Sequence, residues 1–419
     1  MPTRKLDDAI VNPITYATPG TYDEIFSTLR REEPVRWTES EGYRPFWTVS
    51  KYNDIIEIER QNDKFLNEPR LNLVPLAEEE TIKARTGGSV NPISLLVNMD
   101  GSGHRMHRSL TQAWFMPPSL RKLENGLALL AKEFADRMEQ MGGECDFARD
   151  VGVWYPLRVI MMILGVPRED DQKMLKLSQM LLGSSDSEMS VEKAGLEART
   201  QAIQGFFQYF GALAAERRKN PTDDLATVIA NAHIDGQPID NLAAMSYYLI
   251  IATAGHDTTS GTVAGGLLAL MQNPTELSKL WANPDLLPGA VEEMLRWVSP
   301  VKHFFRTANE DYTLRGKEIK AGQSLMMCYP SANRDEEIFQ DPFTFKVDRT
   351  PNRHLAFGHG AHLCLGLHLA RMEMKALYRE LLSRIDRLDL SGEPAWIAAS
   401  LVSGLKRLPI CYTMHKRVA

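Results

Sequence analysis

The sequence predicts a mainly α fold with a smaller β region, the α+β class, built as a single domain over residues 1–419. Three observations carry that expectation. Apolar residues recur at helical spacing in Leu120–Met141, Leu196–Ala215 and Leu242–Met271. Strand-like alternation is confined to a few short stretches. No internal repeat, low-complexity tract or Gly/Ser/Pro-rich linker divides the 419 residues, so the prior of about 150 residues per domain yields to one large unit.

The elements follow in chain order. Tyr43–Ser50, YRPFWTVS, alternates and is aromatic, as a strand does. Leu120–Met141 and Leu196–Ala215 set apolar stripes between charges, as amphipathic helices do. Leu242–Met271 carries one formal charge, Asp257, over a length that could cross a bilayer. Its centre, however, holds His256, Asp257, Thr258, Thr259 and Ser260, where a span is most apolar. A long helix through a protein core fits better, and its polar centre then needs a use, because buried polar groups are costly. Tyr312–Gly322 reads as a hairpin turning at Arg315-Gly316, with SLMMCYPSA after it and short strands around Gly404 near the end.

Composition bounds the function. Charged residues are 24% and hydrophobic ones 43%, as in an ordinary soluble protein. Lys and Arg total 48 against 54 Asp and Glu, a net charge of −6, which speaks against nucleic acid or an anionic membrane as partner. Four cysteines, Cys145, Cys328, Cys364 and Cys411, are scattered without a CxxC pair, so no disulfide framework or Cys-rich zinc module is expected. MPTRKLDDAIVNP at the N-terminus has no signal-peptide run. A cytoplasmic location is expected.

The chemistry concentrates in Pro351–Met374, PNRHLAFGHGAHLCLGLHLARMEM. Gly358, Gly360 and Gly366 imply tight turns and close backbone approach. Cys364 sits where a loop enters a helix starting at Leu367, and free N–H groups there lower a thiol pKa. Local context leaves open both a thiolate and a buried, inert cysteine. His354, His359, His362 and His368 invite a zinc reading, but there is no HxxxH and only one thiol. Close backbone approach with one thiolate suits a flat macrocycle better, and a thiolate on haem iron favours O–O cleavage.

FGHGAHLCLG resembles the haem-binding loop of the cytochrome P-450 family, FxxGxxxCxG, at Phe357, Gly360, Cys364 and Gly366. EEMLR resembles its ExxR pair, Glu293 and Arg296, and AGHDTT, Ala254–Thr259, its oxygen-binding groove. The resemblance implies a triangular, helix-rich prism with haem b (iron protoporphyrin IX) between the long central helix and the Cys-loop helix. It makes Cys364 the iron ligand and Asp257 and Thr258 an acid–alcohol pair that relays protons, with Gly255 leaving room for oxygen and His256 incidental. It assigns His104, Arg108, Arg306 and His362 to the haem propionates, and His354, Phe357 and Gly366 to further cofactor contacts. His104 and Arg108 share a helix face, although MDGSGH departs from the family's acidic-Pro-Pro-x-His entry. Glu293 and Arg296, three apart, also share a face, and Arg349 joins them as a structural third.

A chain without an anchor resembles the soluble bacterial class. That implies an iron–sulfur ferredoxin and its flavoprotein reductase as electron partners, docking near the Cys364 loop beside Arg105 and Arg108. ATAGHDTTS, PVKHFFRTA, YPSANRDEE and PNRHLAFG resemble the terpineol hydroxylase branch, which implies a cyclic monoterpene or alkyl-aromatic substrate. Candidate pocket residues are Ile250, Thr253, Ala254, Val301, Phe304 and Val402, a mostly apolar set. The roof is expected from the loop Arg70–Asn98 and helices around residues 170–210, with Met174, Met180, Leu181 and Leu182. Lys302 and His303 are the cations that could hold a substrate carboxylate. The rivals are a peroxide-driven enzyme, whose members commonly lack the Asp257–Thr258 pair, and a non-catalytic haem sensor or zinc site.

Overall fold

The computed structural model describes residues 3–18, 20–91, 93–182, 186 and 196–415. Helices form most of it. The central one runs Asn241–Gln272, thirty-two residues, capped by the Asp240 carboxylate accepting from Ala243 N–H at 3.0 Å. Its hydroxyls are satisfied within the helix: Thr253, Thr258 and Thr262 each donate to the carbonyl four residues back. A polar centre therefore sits in a core without orphaned hydroxyls at those three positions. Among the described residues, no helix is long and apolar enough to cross a membrane.

Around this axis pack the helices Trp154–Ile163, Leu287–Val298 and Leu367–Leu382. The Tyr378 hydroxyl of the last of these donates to Val263 O at 2.6 Å, tying it to the central helix. The helix Gly101–Gln112 and the long helix Leu196–Lys219 complete the helical side.

The β region is smaller. A five-stranded sheet has the order Val35–Thr38, Phe46–Val49, Ser324–Cys328, His303–Ala308, Phe65–Leu66. Only the pairing of Phe46–Val49 with Ser324–Cys328 is parallel. Strand alternation sorts its side chains. Phe46, Phe305, Met326 and Cys328 pack on one face, against Ile25, Phe26 and Leu29 of the helix Thr21–Glu32. Val49, Leu325 and Met327 pack on the other. Arg306, next to Phe305, is thereby turned to the side opposite that aromatic layer. The Tyr312–Leu314 and Lys317–Ile319 hairpin turns at Arg315 and Gly316, both at positive φ. Near the C-terminus, Ile385–Leu390 and Glu144–Asp146 flank Pro409–Met414, and Ala395–Trp396 pairs with Leu405–Arg407.

Two expectations for the roof change. Within Arg70–Asn98 the chain forms a helix, Leu76–Thr86, not a loop; Gly87 stops it in the left-handed conformation at φ 70°. Met174, on the helix Asp171–Leu182, is fully buried in the main core and lines nothing, while Met180 and Leu181 are half-buried. The Leu182 side chain and residues 183–185 and 187–195 lie outside the described residues.

Candidate active site

The Cys364 loop is closed by its own backbone. Cys364 N–H donates to Phe357 O at 2.9 Å, and Arg371 lies over the Phe357 ring at 4.6 Å. Gly360 has φ 70°, and a Cβ there would come within 2.0 Å of Glu59 O, so only glycine fits. Gly366 begins the helix Leu367–Leu382, with open space where a side chain would stand. The sequence leaves the thiol open between a thiolate and a buried, inert form. Burial raises the Cys364 pKa and outweighs the Gly366 and Leu367 N–H groups and the charges of Arg108 and Arg371, which lower it. A metal cation would reverse that balance, because a coordinating thiol is deprotonated.

Behind the loop lies the Glu293 cluster. Arg296 donates to both Glu293 oxygens at 2.7 Å, Arg349 Nε reaches both at 3.0 and 3.1 Å, and Asn352 and the Lys346 N–H add bonds at 3.0 Å. Arg296 spends its remaining donors on the carbonyls of Asn333, Pro342 and Thr344. A second carboxylate, Glu292, takes Arg371 at 2.7 Å twice and His354 Nε2 at 3.2 Å. Burial pushes Glu292 up, yet His354 and Arg371 outweigh it and hold it at about 2. His354 Nδ1 accepts from Ala356 N–H. Both its ring nitrogens are thus committed to protein, which leaves no polar atom of His354 for a cofactor.

Four basic side chains gather on the other flank. His104 and His362 stack at 4.0 Å. Asn67 Nδ2 donates to His362 Nδ1 at 3.1 Å, and Arg108 donates to Leu363 O at 2.6 Å. Arg306, buried, donates to Phe305 O and to Glu59. Burial first, then the neighbouring Arg306, His104 and Arg108, hold His362 at about 2. Burial and Arg108 lead the same effect on His104, held at about 4. Two guanidiniums thus stand beside two neutral imidazoles, an arrangement that would hold an anion placed among them. A haem fits this donor set: its carboxylates would supply that anion, and the one thiol in the loop would ligate its iron. No group of three or more His, Cys, Asp or Glu able to hold a bare metal ion exists among the described residues.

The middle of the central helix is accessible on one side. Ala254 is exposed and Gly255, Asp257 and Thr258 are half-exposed, within a helix otherwise largely buried. Thr258 Oγ1 donates to Ala254 O at 2.9 Å, which keeps its lone pairs free. His256 is buried, donating Nε2–H to Val153 O at 3.0 Å, with Nδ1 3.1 Å from Asp257 Oδ1. Gly255 corrects the expectation of room for oxygen. A Cβ there would meet Ile160 Cδ1 at 2.4 Å, so glycine makes room for the neighbouring helix.

Ile250, Val301, Phe304 and Val402 are half-buried, and a backbone bridge joins Val301 to Val402. Thr253 is buried, its hydroxyl bonded to Leu249 O. Lys302 and His303 are both buried and committed to backbone partners. Lys302 Nζ donates to Val298 O and Ser299 O at 3.0 Å, capping the Leu287–Val298 helix, and burial leads its fall to about 7. His303, buried and pushed down to about 3, accepts from Leu73 N–H.

Comparison with known proteins agrees with this arrangement. A family model described as cytochrome P-450 matches residues 79–393. The chain is 40% identical over 412 residues to cytochrome P-450-terp of a Pseudomonas species, covering 96% of each. It is 32% identical to the steroid C26-monooxygenase of Mycolicibacterium smegmatis, over 97% of this chain and 96% of that one. The crystal structure of CYP108D1 from Novosphingobium aromaticivorans matches with a TM-score of 0.92 at 43% identity, covering 98% of this chain and 99% of that one. With the family model spanning residues 79–393 and relatives above 30% identity over nearly the whole length, the chain belongs to the cytochrome P-450 family, as an oxidoreductase of the monooxygenase kind.

Proposed function

We propose that residues 1–419 act as one catalytic unit, a cytoplasmic monooxygenase that inserts one oxygen atom from O2 into a C–H bond of a small apolar substrate. A cyclic monoterpene or alkyl-aromatic compound is the substrate class, and a ferredoxin with its flavoprotein reductase supplies the electrons. The observation that carries the reading is the opened middle of the central helix, where a carboxylate and a hydroxyl, Asp257 and Thr258, adjoin exposed Ala254. The substrate class is supported by the relative named cytochrome P-450-terp and by the apolar set Ile250, Val301, Phe304 and Val402.

When bound, haem b ligated by Cys364 supplies the oxygen activation. His104, Arg108, Arg306 and His362 would hold its propionates, Phe357 and Gly366 would contact it from the loop that carries Cys364, and Glu293, Arg296 and Arg349 hold the chain behind the loop. His354 acts at one remove, through Glu292 and Arg371. Asp257, half-exposed, exchanges protons with solvent. Thr258 accepts at its free lone pairs and passes on its own proton by rotating away from Ala254 O. Val301, Phe304 and Val402 exclude water and orient an apolar substrate, and with Lys302 and His303 occupied no cation is left there to select a carboxylate.

An absorbance spectrum of the dithionite-reduced protein with carbon monoxide tests this. A strongly red-shifted Soret band is expected from thiolate-ligated haem; a haem band without that shift would overturn the reading. In Thr258→Ala, electron consumption should continue while product falls by about tenfold or more. Unchanged coupling would remove Thr258 from proton delivery and favour a peroxide-driven route.

A further inference from the structure

Glu59 is a buried acid for which the oxygen chemistry has no use. It ends the helix Tyr52–Glu59, with its side chain almost wholly out of solvent. Oε1 accepts from Arg306 Nη2 at 3.0 Å and from the Tyr329 hydroxyl at 2.7 Å. Oε2 has no hydrogen-bond partner among the described residues. Its backbone is pressed against the Cys364 loop, since a Cβ at Gly360 would come within 2.0 Å of Glu59 O. The groups facing it are Arg306 from the five-stranded sheet, Tyr329 just after the strand Ser324–Cys328, and the backbone N–H of His359 from the loop, which favours its charged form while the His359 ring takes Arg60.

A carboxylate buried this deeply with one oxygen unpartnered is costly unless its charge is used. Arg306 shows the use. Phe305 O takes its Nη1 and Glu59 its Nη2, which fixes the guanidinium plane and leaves the remaining donors for another anion. His104 and His362 both feel the Arg306 charge, so Arg306 stands at the propionate flank.

We propose that Glu59 is a positioning residue that fixes Arg306 at the propionate end of the haem and, through its charge, sets how readily the iron is reduced. This rests on the haem-thiolate reading above. The sign follows from electrostatics. Reduction adds one electron to the iron, from ferredoxin or dithionite, and a nearby buried anion opposes it. Burial raises the Glu59 pKa above its ordinary value, against the pull of Arg306 and Tyr329. A proton taken from water onto the carboxylate as the iron gains its electron would lift that opposition, and no bond between heavy atoms changes. Reduction becomes easier as pH falls.

Potentiometric titration of the haem-loaded protein, between about pH 5 and 9, tests this in wild type, Glu59→Gln and Tyr329→Phe. Glu59→Gln should raise the ferrous-to-ferric ratio at fixed potential by about tenfold, which is about 59 mV for one electron. Its pH dependence should also be flatter than that of wild type. Tyr329→Phe removes a donor that favours the charged carboxylate, so the wild-type pH profile should move to higher pH. A haem-loaded Glu59→Gln protein with unchanged potential and unchanged pH slope would overturn the proposal. Should Glu59→Gln not retain haem, an unmoved profile in Tyr329→Phe would overturn it instead. A wild-type protein without the shifted carbon monoxide band would overturn both readings; with that band present, failure belongs to Glu59 alone.

Discussion

Two glutamates use the same device to opposite effect. Glu293, behind the Cys364 loop, is 0% exposed, and its partners Arg296 and Arg349 are 0% and 6% exposed. Glu79, on the Leu76–Thr86 helix, is 5% exposed and is held by Arg44, Arg70 and Lys83 at 39%, 20% and 27%. Each carboxylate gathers several cations at hydrogen-bond distance. Around Glu293 no water can replace a lost partner, so the cluster keeps one geometry or fails. Around Glu79 water can substitute for each partner in turn, and each contact contributes little. The molecule thus holds the back of its Cys364 loop rigidly and pins the 76–86 helix with contacts that can be exchanged.

The largest test of this contrast is Glu293→Ala. It strands two arginines without a counter-charge and should cost on the order of 3–5 kcal/mol, read from the urea midpoint together with loss of haem. A loss no larger than that of the corresponding Glu79 variant would erase the contrast. Arg349→Ala should fall between, on the order of 1.5–3 kcal/mol, because Arg296 still neutralises Glu293. Glu79→Gln should cost on the order of 1–2 kcal/mol at neutral pH, because its partners, unlike those of Glu293, are open to water. Burial raises the Glu79 carboxyl, but Arg70, Arg44 and Lys83 outweigh it and lower it from 4.5 to about 2. A carboxylate lowered in the folded state contributes fully above its unfolded value and loses that contribution as pH falls toward about 2. Wild type and Glu79→Gln should therefore converge in stability across that window, and a difference that persists at its acid end would contradict the assignment. The smallest effect is ionic: at about 1 M salt the Glu79 contribution should vanish while that of Glu293 stays.

What was legible in the sequence was local. Glu293 and Arg296 lie three apart, so their spacing is already their geometry. The glycines and cysteine of the 357–366 loop likewise fall within one turn of chain. The Leu76–Thr86 helix could have been read from Pro75 before it, Gly87 after it, Glu78 and Glu79 in its first turn and Lys83 and Arg85 in its last. Contacts between remote segments left no such mark. Glu59 meets Arg306 across 247 residues and Glu292 meets Arg371 across 79, and no period announces either. Gly255 failed for another reason. Adjacent helical residues point about 100° apart, so exposure at Ala254 says nothing about which neighbour residue 255 faces.

The contact between Gly255 and Ile160 bears on how the site could be remodelled. Position 255 belongs to the groove by sequence but to a helix–helix seam by contact. A larger residue there would not narrow the opening at Ala254; it would wedge two helices apart. Anyone reshaping this enzyme should treat 160 and 255 as a single coordinate, trimming the first before enlarging the second. The spacing of the scaffold, rather than the lining of its pocket, is what that coordinate adjusts.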